Sequence, residues 1–134
     1  MSSIADNIGS VTRRIQKATL QAGREPGSVR LLAVSKTRPA EDLKAAFEAG
    51  QVAFGENYLQ EALDKMQALS GTEGIEWHFI GPIQSNKTRQ IAEAFAWVHS
   101  VDRLKIARRL SEQRPETLPP LNICLQVNIN NEDS

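Results

Sequence analysis

Short apolar runs alternate with stretches in which apolar residues recur at helical spacing, and the connections fit only parallel strands joined by crossover helices. The apolar runs span 29–34, 52–54, 76–80, 97–101 and 121–129. Between them, the spacing of Leu43, Ala46 and Phe47 predicts a short helix that Gly50 closes. Leu59, Ala62, Leu63, Met66 and Leu69 predict a second, ended by Ser70-Gly71. A third carries Ile91, Ala94 and Phe95 with Ser85 or Asn86 as its cap, and a fourth carries Ile106, Ala107 and Leu110 with Asp102 as its cap. Ahead of all these, Ser3 caps an amphipathic opening helix marked by Ile4, Ile8, Val11, Ile15 and Ala18 and stopped at Gly23. About five β/α units are therefore expected, an α/β fold. A closed barrel and an open doubly wound sheet share this pattern. Only the missing Gly-x-Gly-x-x-Gly turn after the first strand leans toward the barrel.

A chain of 134 residues, 40% hydrophobic, suffices for one domain with a continuous core, so 1–134 is read as a single domain. Sixteen basic residues balance sixteen acidic ones, which argues against nucleic acid or an anionic membrane surface as a partner. No apolar stretch is long enough to cross a bilayer and no secretory signal opens the chain, so a cytoplasmic location is expected. Cys124 stands alone in an apolar run and reads as a small buried side chain.

In either α/β architecture ligands gather at the C-terminal ends of the strands. Lys36 ends the first strand, and its amine could condense with a carbonyl compound if Leu32 and Val34 desolvate it. By position alone, a lysine that carries its charge into water is the commoner case. Gly55-Glu56-Asn57-Tyr58 follows the second strand: Gly55 would let the backbone turn, Asn57 offers donor and acceptor, and Glu56 reads as a first-turn carboxylate on the helix dipole. In the third strand, alternation sends Trp77 and Phe79 one way and His78 and Ile80 the other, so His78 could face a barrel interior. A lone strand histidine is more often a hydrogen-bonded core residue, and His99 is read the same way. The two lie on different strands without further Cys or His at ligand spacing, which gives a zinc site little support. The segment 81–88 lacks the glycine a P-loop needs before Lys87-Thr88. Arg103, Lys105, Arg108, Arg109 and Arg114 read as an exposed helix face.

Taken together, Leu32-Ala33-Val34-Ser35-Lys36-Thr37, Phe54-Gly55-Glu56-Asn57-Tyr58 and the run from Trp77-His78-Phe79-Ile80-Gly81-Pro82 through Ile83-Gln84-Ser85-Asn86-Lys87 resemble the pyridoxal phosphate homeostasis protein family, of the YggS/PROSC type. The resemblance extends over essentially the whole chain. It implies a TIM-type barrel like the N-terminal domain of alanine racemase, with pyridoxal 5'-phosphate (PLP) held by Lys36 as a Schiff base. Asn57, Val34 and His78 would stand beside the cofactor. It also implies a non-catalytic role in intracellular PLP and vitamin B6 homeostasis, with apo PLP-dependent enzymes as recipients and a monomer at full length. The alternative is a racemase- or decarboxylase-like enzyme of fold type III; a Schiff-base aldolase without pyridoxal is a third reading. Family members run on to complete a barrel of about eight strands. This chain is therefore expected to be the truncated N-terminal part. The phosphate-binding loop and the arginine facing the pyridine nitrogen, which the resemblance implies lie later, have no counterpart in it.

Overall fold

The computed structural model describes residues 3–129. Helix α1 (Ile4–Gln21) opens the chain, and strands and helices then alternate as β1 (Ala33–Val34), α2 (Ala40–Glu48), β2 (Ala53–Glu56), α3 (Leu59–Ala68), β3 (Glu76–Phe79), α4 (Thr88–Ala94), β4 (Trp97–Val101), α5 (Leu104–Gln113) and β5 (Asn122–Leu125). All five strands are parallel and lie side by side in chain order. A doubly wound sheet reverses its strand order at a switch point, whereas a barrel winds on in one direction. The order β1-β2-β3-β4-β5 has no reversal, so the fold is α/β with the strand succession of a partial TIM-type barrel.

Helix α1 begins as its sequence predicts. Ser3 Oγ accepts from the Asp6 N–H at 3.0 Å, and the Asp6 carboxylate accepts in return from the Ser3 N–H, a reciprocal capping box. Ile4 and Ile8 then pack with Leu43 and Ala46 of α2 and Phe54 of β2. A larger cluster joins Phe79 and Val98 of the strands to Ala62, Ile91, Ala92, Phe95, Ile106 and Leu110. Because neighbours in register share a face, the helices all cover one side of the sheet, the side of Phe54, Phe79 and Val98. Each such side chain adds about 1.5–3 kcal/mol on burial.

Several expected boundaries move. The run 29–34 pairs only at Ala33–Val34, and 121–129 only at Asn122–Leu125. Both segments supply apolar side chains over more residues than they supply ladder hydrogen bonds. Ser85–Lys87 forms a 3-10 turn ahead of α4, with the Thr88 hydroxyl donating to the Ser85 carbonyl at 3.0 Å. Asp102 does not cap α5: the cap position is Arg103, with no side-chain cap. Arg109 and Arg114 are half-buried rather than exposed. Arg109 Nε donates to Ser85 O at 3.0 Å, and Arg114 donates to the carbonyls of Ala92, Phe95 and Pro119 at 2.6–2.9 Å. Cys124 is a half-buried free thiol. Among the described residues, no helix is long and apolar enough to cross a membrane.

Candidate functional site

The strand register sets Val34, Gly55, His78, Trp97 and Asn122 in one row across the sheet. This row faces away from the helices, the side that becomes the lumen when such a sheet closes. Gly55 lies inside β2 instead of forming a turn after it. A Cβ there would sit 3.0 Å from Ile80 Cδ1 and 3.5 Å from Leu32 Cδ2. Glycine thus serves close packing of the floor, and Val34 beside it is 54% exposed.

Lys36 lies two residues past Val34, in a turn closed by the Arg38 N–H donating to the Ser35 carbonyl at 3.1 Å. Its side chain is exposed, so Leu32 and Val34 do not by themselves desolvate the amine; the face they occupy stays open in a five-stranded sheet. The next residue, Thr37, has φ +62, a left-handed conformation that costs a β-branched residue about 1–3 kcal/mol. Its N–H donates to the Glu61 carboxylate and its hydroxyl donates to the Lys36 carbonyl.

Glu56 is not a dipole-complementing carboxylate at a helix start. It points from β2 to the helix side, fully buried, and accepts from the Ser35 hydroxyl and from Lys65 Nζ at 2.9 and 3.1 Å. Lys65 Nζ also donates to the Ser35 carbonyl at 2.7 Å and meets Glu61 at 2.9 Å. The hydrogen bond from Lys65 foremost, and then that from Thr37, hold the Glu61 carboxyl below its usual range against the opposing effect of burial. Lys65 matches no motif in the sequence, but its position is a signal: it stands three residues after Ala62 and four before Leu69, on the apolar stripe of α3, four residues from Glu61.

Asn57 follows β2, half-buried, and its Oδ1 is buried without a hydrogen-bond partner. An orphaned amide oxygen costs about 1–3 kcal/mol and is satisfied by a donor from a ligand or water. Gly81, at the exit of β3, is required here by contact, since a Cβ would fall 2.2 Å from the Asn57 carbonyl oxygen. A cavity of about 400 Å³ opens beside Asn57 between Tyr58, Phe79, Ile83 and Lys87. A somewhat larger one, about 460 Å³, lies among α1, Arg30-Leu31 and Gln51, with none of the candidate residues in its wall. Of the candidate residues only Asn57 borders the first cavity, whose wall includes Phe79 and Ile91 of the helix side.

His78 and His99 are brought together. His78 Nδ1 lies 2.8 Å from His99 Nε2, His78 Nε2 lies 2.7 Å from the Glu76 carboxylate, and Arg30 donates to Glu76 at 3.0 Å. The Trp97 indole stacks on His78 with ring centres 5.6 Å apart and planes 3° from parallel. Burial lowers the pKa of both histidines, and for His78 it outweighs the Glu76 carboxylate. Burial raises that of Glu76, but the hydrogen bonds from His78 and Arg30 turn the balance downward. With both rings neutral, the network assigns the protons: His78 Nε2–H donates to Glu76, and His78 Nδ1 accepts from His99 Nε2–H. Among the described residues no group of three or more His, Cys, Asp or Glu is arranged to hold a metal ion.

A scan of protein-family models finds none that matches. Individual proteins do match. The chain is 64% identical over 134 residues to a pyridoxal phosphate homeostasis protein of Pseudomonas aeruginosa, a match covering all of this chain and 58% of that protein. It is 52% identical over 136 residues to the protein of the same name in Escherichia coli K12, again over 58% of that protein. The chain is homologous throughout to pyridoxal phosphate homeostasis proteins. It thus spans somewhat more than half the length of these relatives. Among solved structures, PipY of Synechococcus elongatus PCC7942 with PLP bound superposes with TM-score 0.76 and 41% identity, over 88% of this chain and 55% of that one. Alanine racemase of E. faecalis gives TM-score 0.60 at 21% identity over 92% of this chain and 34% of that one, a likeness of fold alone.

Seen beside the homeostasis proteins, the expected site residues fall into two groups. Val34 and His78 share the lumen-side row, while Lys36 and Asn57 stand just past the ends of β1 and β2. Chemically the set comprises an exposed amine, an amide with an unmet acceptor, a neutral imidazole pair and a flat indole surface.

Proposed function

We propose that the chain binds pyridoxal 5'-phosphate at the strand tips through Lys36, as part of a protein that stores and hands on the cofactor in vitamin B6 homeostasis. The observation that carries this reading is the place of Lys36 on a hydrogen-bonded turn at the C-terminal end of β1, in a chain 64% identical to a protein named for that role. The residues present fit the aldehyde end of the cofactor. Lys36 supplies a reachable amine, the buried Asn57 Oδ1 calls for a donor such as a ligand hydroxyl, and Val34 and the His78 row form the floor. When bound, PLP supplies an aldehyde that condenses with an unprotonated lysine amine, with loss of one water. Because Lys36 is exposed, further desolvation of its amine has to come from the ligand and from whatever covers it.

Binding without turnover belongs to the same proposal. An amino-acid racemase needs an acid or base on each face of the ring, and the fold likeness to alanine racemase at 21% identity does not supply one. Holo-protein incubated with single amino-acid enantiomers should leave their optical purity unchanged; measurable racemisation would favour the fold-type III enzyme. A cytoplasmic location, a monomeric full-length protein and delivery to apo PLP-dependent enzymes complete the reading.

Borohydride reduction of the PLP-loaded full-length protein followed by peptide mass mapping tests the covalent anchor. The phosphopyridoxyl mass should fall on Lys36. A label confined to other lysines would remove Lys36 from the mechanism, and an adduct lacking the phosphopyridoxyl mass would point to the aldolase reading.

A further inference from the structure

On the helix side of the sheet, behind the turn that carries Lys36, sits a buried lysine amine surrounded by acceptor oxygens. An ammonium has three donors. Those of Lys65, 7% exposed, meet the Ser35 carbonyl at 2.7 Å, the Glu56 carboxylate at 2.9 Å and Glu61 at 2.9 Å. Two of these contacts lead directly to the neighbours of Lys36. Ser35 is held at its carbonyl by Lys65 and at its hydroxyl by Glu56, and Thr37 is held at its N–H by Glu61. The backbone is thereby fixed on both sides of Lys36, including the left-handed Thr37. Stability alone gives a weak reason for this arrangement, because well-packed apolar residues usually serve a core at least as well as a buried ion pair.

We propose that Lys65 is a positioning residue for the cofactor lysine, setting through Ser35 and through the Glu61–Thr37 link the direction in which Lys36 leaves β1, and with it the affinity for PLP. The inference rests on the reading of Lys36 as the cofactor lysine. Lys65 itself touches no ligand in this role. It acts by denying the turn other conformations, so that Lys36 meets the aldehyde without first ordering its own backbone.

Two variants of the full-length protein separate positioning from mere support of the fold. Glu61→Gln weakens the link to Thr37 at a side chain 29% exposed and leaves Lys65 paired with Glu56. Lys65→Met with Glu56→Gln removes the cation without stranding a buried carboxylate. Both should raise the PLP dissociation constant about tenfold or more, roughly 1.4 kcal/mol. Amide exchange at Thr37 and Arg38 should quicken, while the thermal midpoint of the apo-protein under Glu61→Gln moves by no more than about 2 °C. Wild-type affinity in both variants, or losses that follow the apo thermal midpoint alone, would overturn the role of Lys65. Mass mapping of borohydride-reduced wild type keeps the two readings apart. Label away from Lys36 defeats the anchor and this inference with it, whereas label on Lys36 with unchanged affinities defeats this inference only.

Discussion

Two residues carry more constraint than their side chains suggest. Gly81 has no room for a Cβ, and the atom in the way is the backbone oxygen of Asn57, which cannot swing aside as a flexible side chain could. Gly81→Ala should therefore push the strand tips apart, cost about 1–3 kcal/mol by denaturant unfolding and, if the proposed role of Asn57 holds, weaken PLP binding. The His78–His99 pair makes the molecule sensitive to acid. Both histidines have folded pKa values depressed below the ordinary 6.5. Their unfolded forms thus take up protons first, and the stability they contribute, complete above pH 6.5, is lost as pH falls through the depressed values. Glu61 and Glu76, also depressed, extend the loss below the ordinary carboxylate value of 4.5. A thermal midpoint followed from pH 7.5 to 5 should fall, and His99→Gln should flatten that slope; an equal slope in the variant would show that the pair is not its source.

Elements were readable from sequence wherever their signal is local. The run 97–101 became β4 to the residue, and the stripe of Leu59, Ala62 and Met66 became α3. The run 29–34 exceeds β1 because apolar side chains report burial, whereas strand length is set by partners on β2, about twenty residues later. The role of Lys65 is hidden in sequence for a related reason: its partners Ser35 and Glu56 come from other elements. Glu56 and Gly55 read as helix-start and turn residues because their motif lies at a strand–helix junction, and only register shows that both belong to β2. Arg114, taken for a solvated charge, links the carbonyls at the end of α4 to Pro119, where no backbone donor from the next turn is available. Arg114→Ala should destabilise the protein by about 1–3 kcal/mol, and Arg114→Lys should recover only part of that loss, because an ammonium cannot reproduce the planar fork. Equal stability of all three forms in urea would contradict the role.

For the molecule as a whole, the α/β class was legible in the alternation, but the choice of barrel over open sheet came from strand order, which no local pattern encodes. The last strand shows what the order leaves uncovered: Leu125 and Val127 are 71% and 73% exposed on and just past β5. Expressed as these 134 residues alone, the chain should self-associate through that edge, measurable by sedimentation, and Leu125→Lys should suppress the larger species. The succession of strands has a temporal side too. Each strand's partner is the one made just before it, so a ribosome delivers every βα unit onto a surface already waiting. Growth by accretion of this kind asks for no distant rendezvous until a ring must close, and Lys36 stands just past the end of the founding strand.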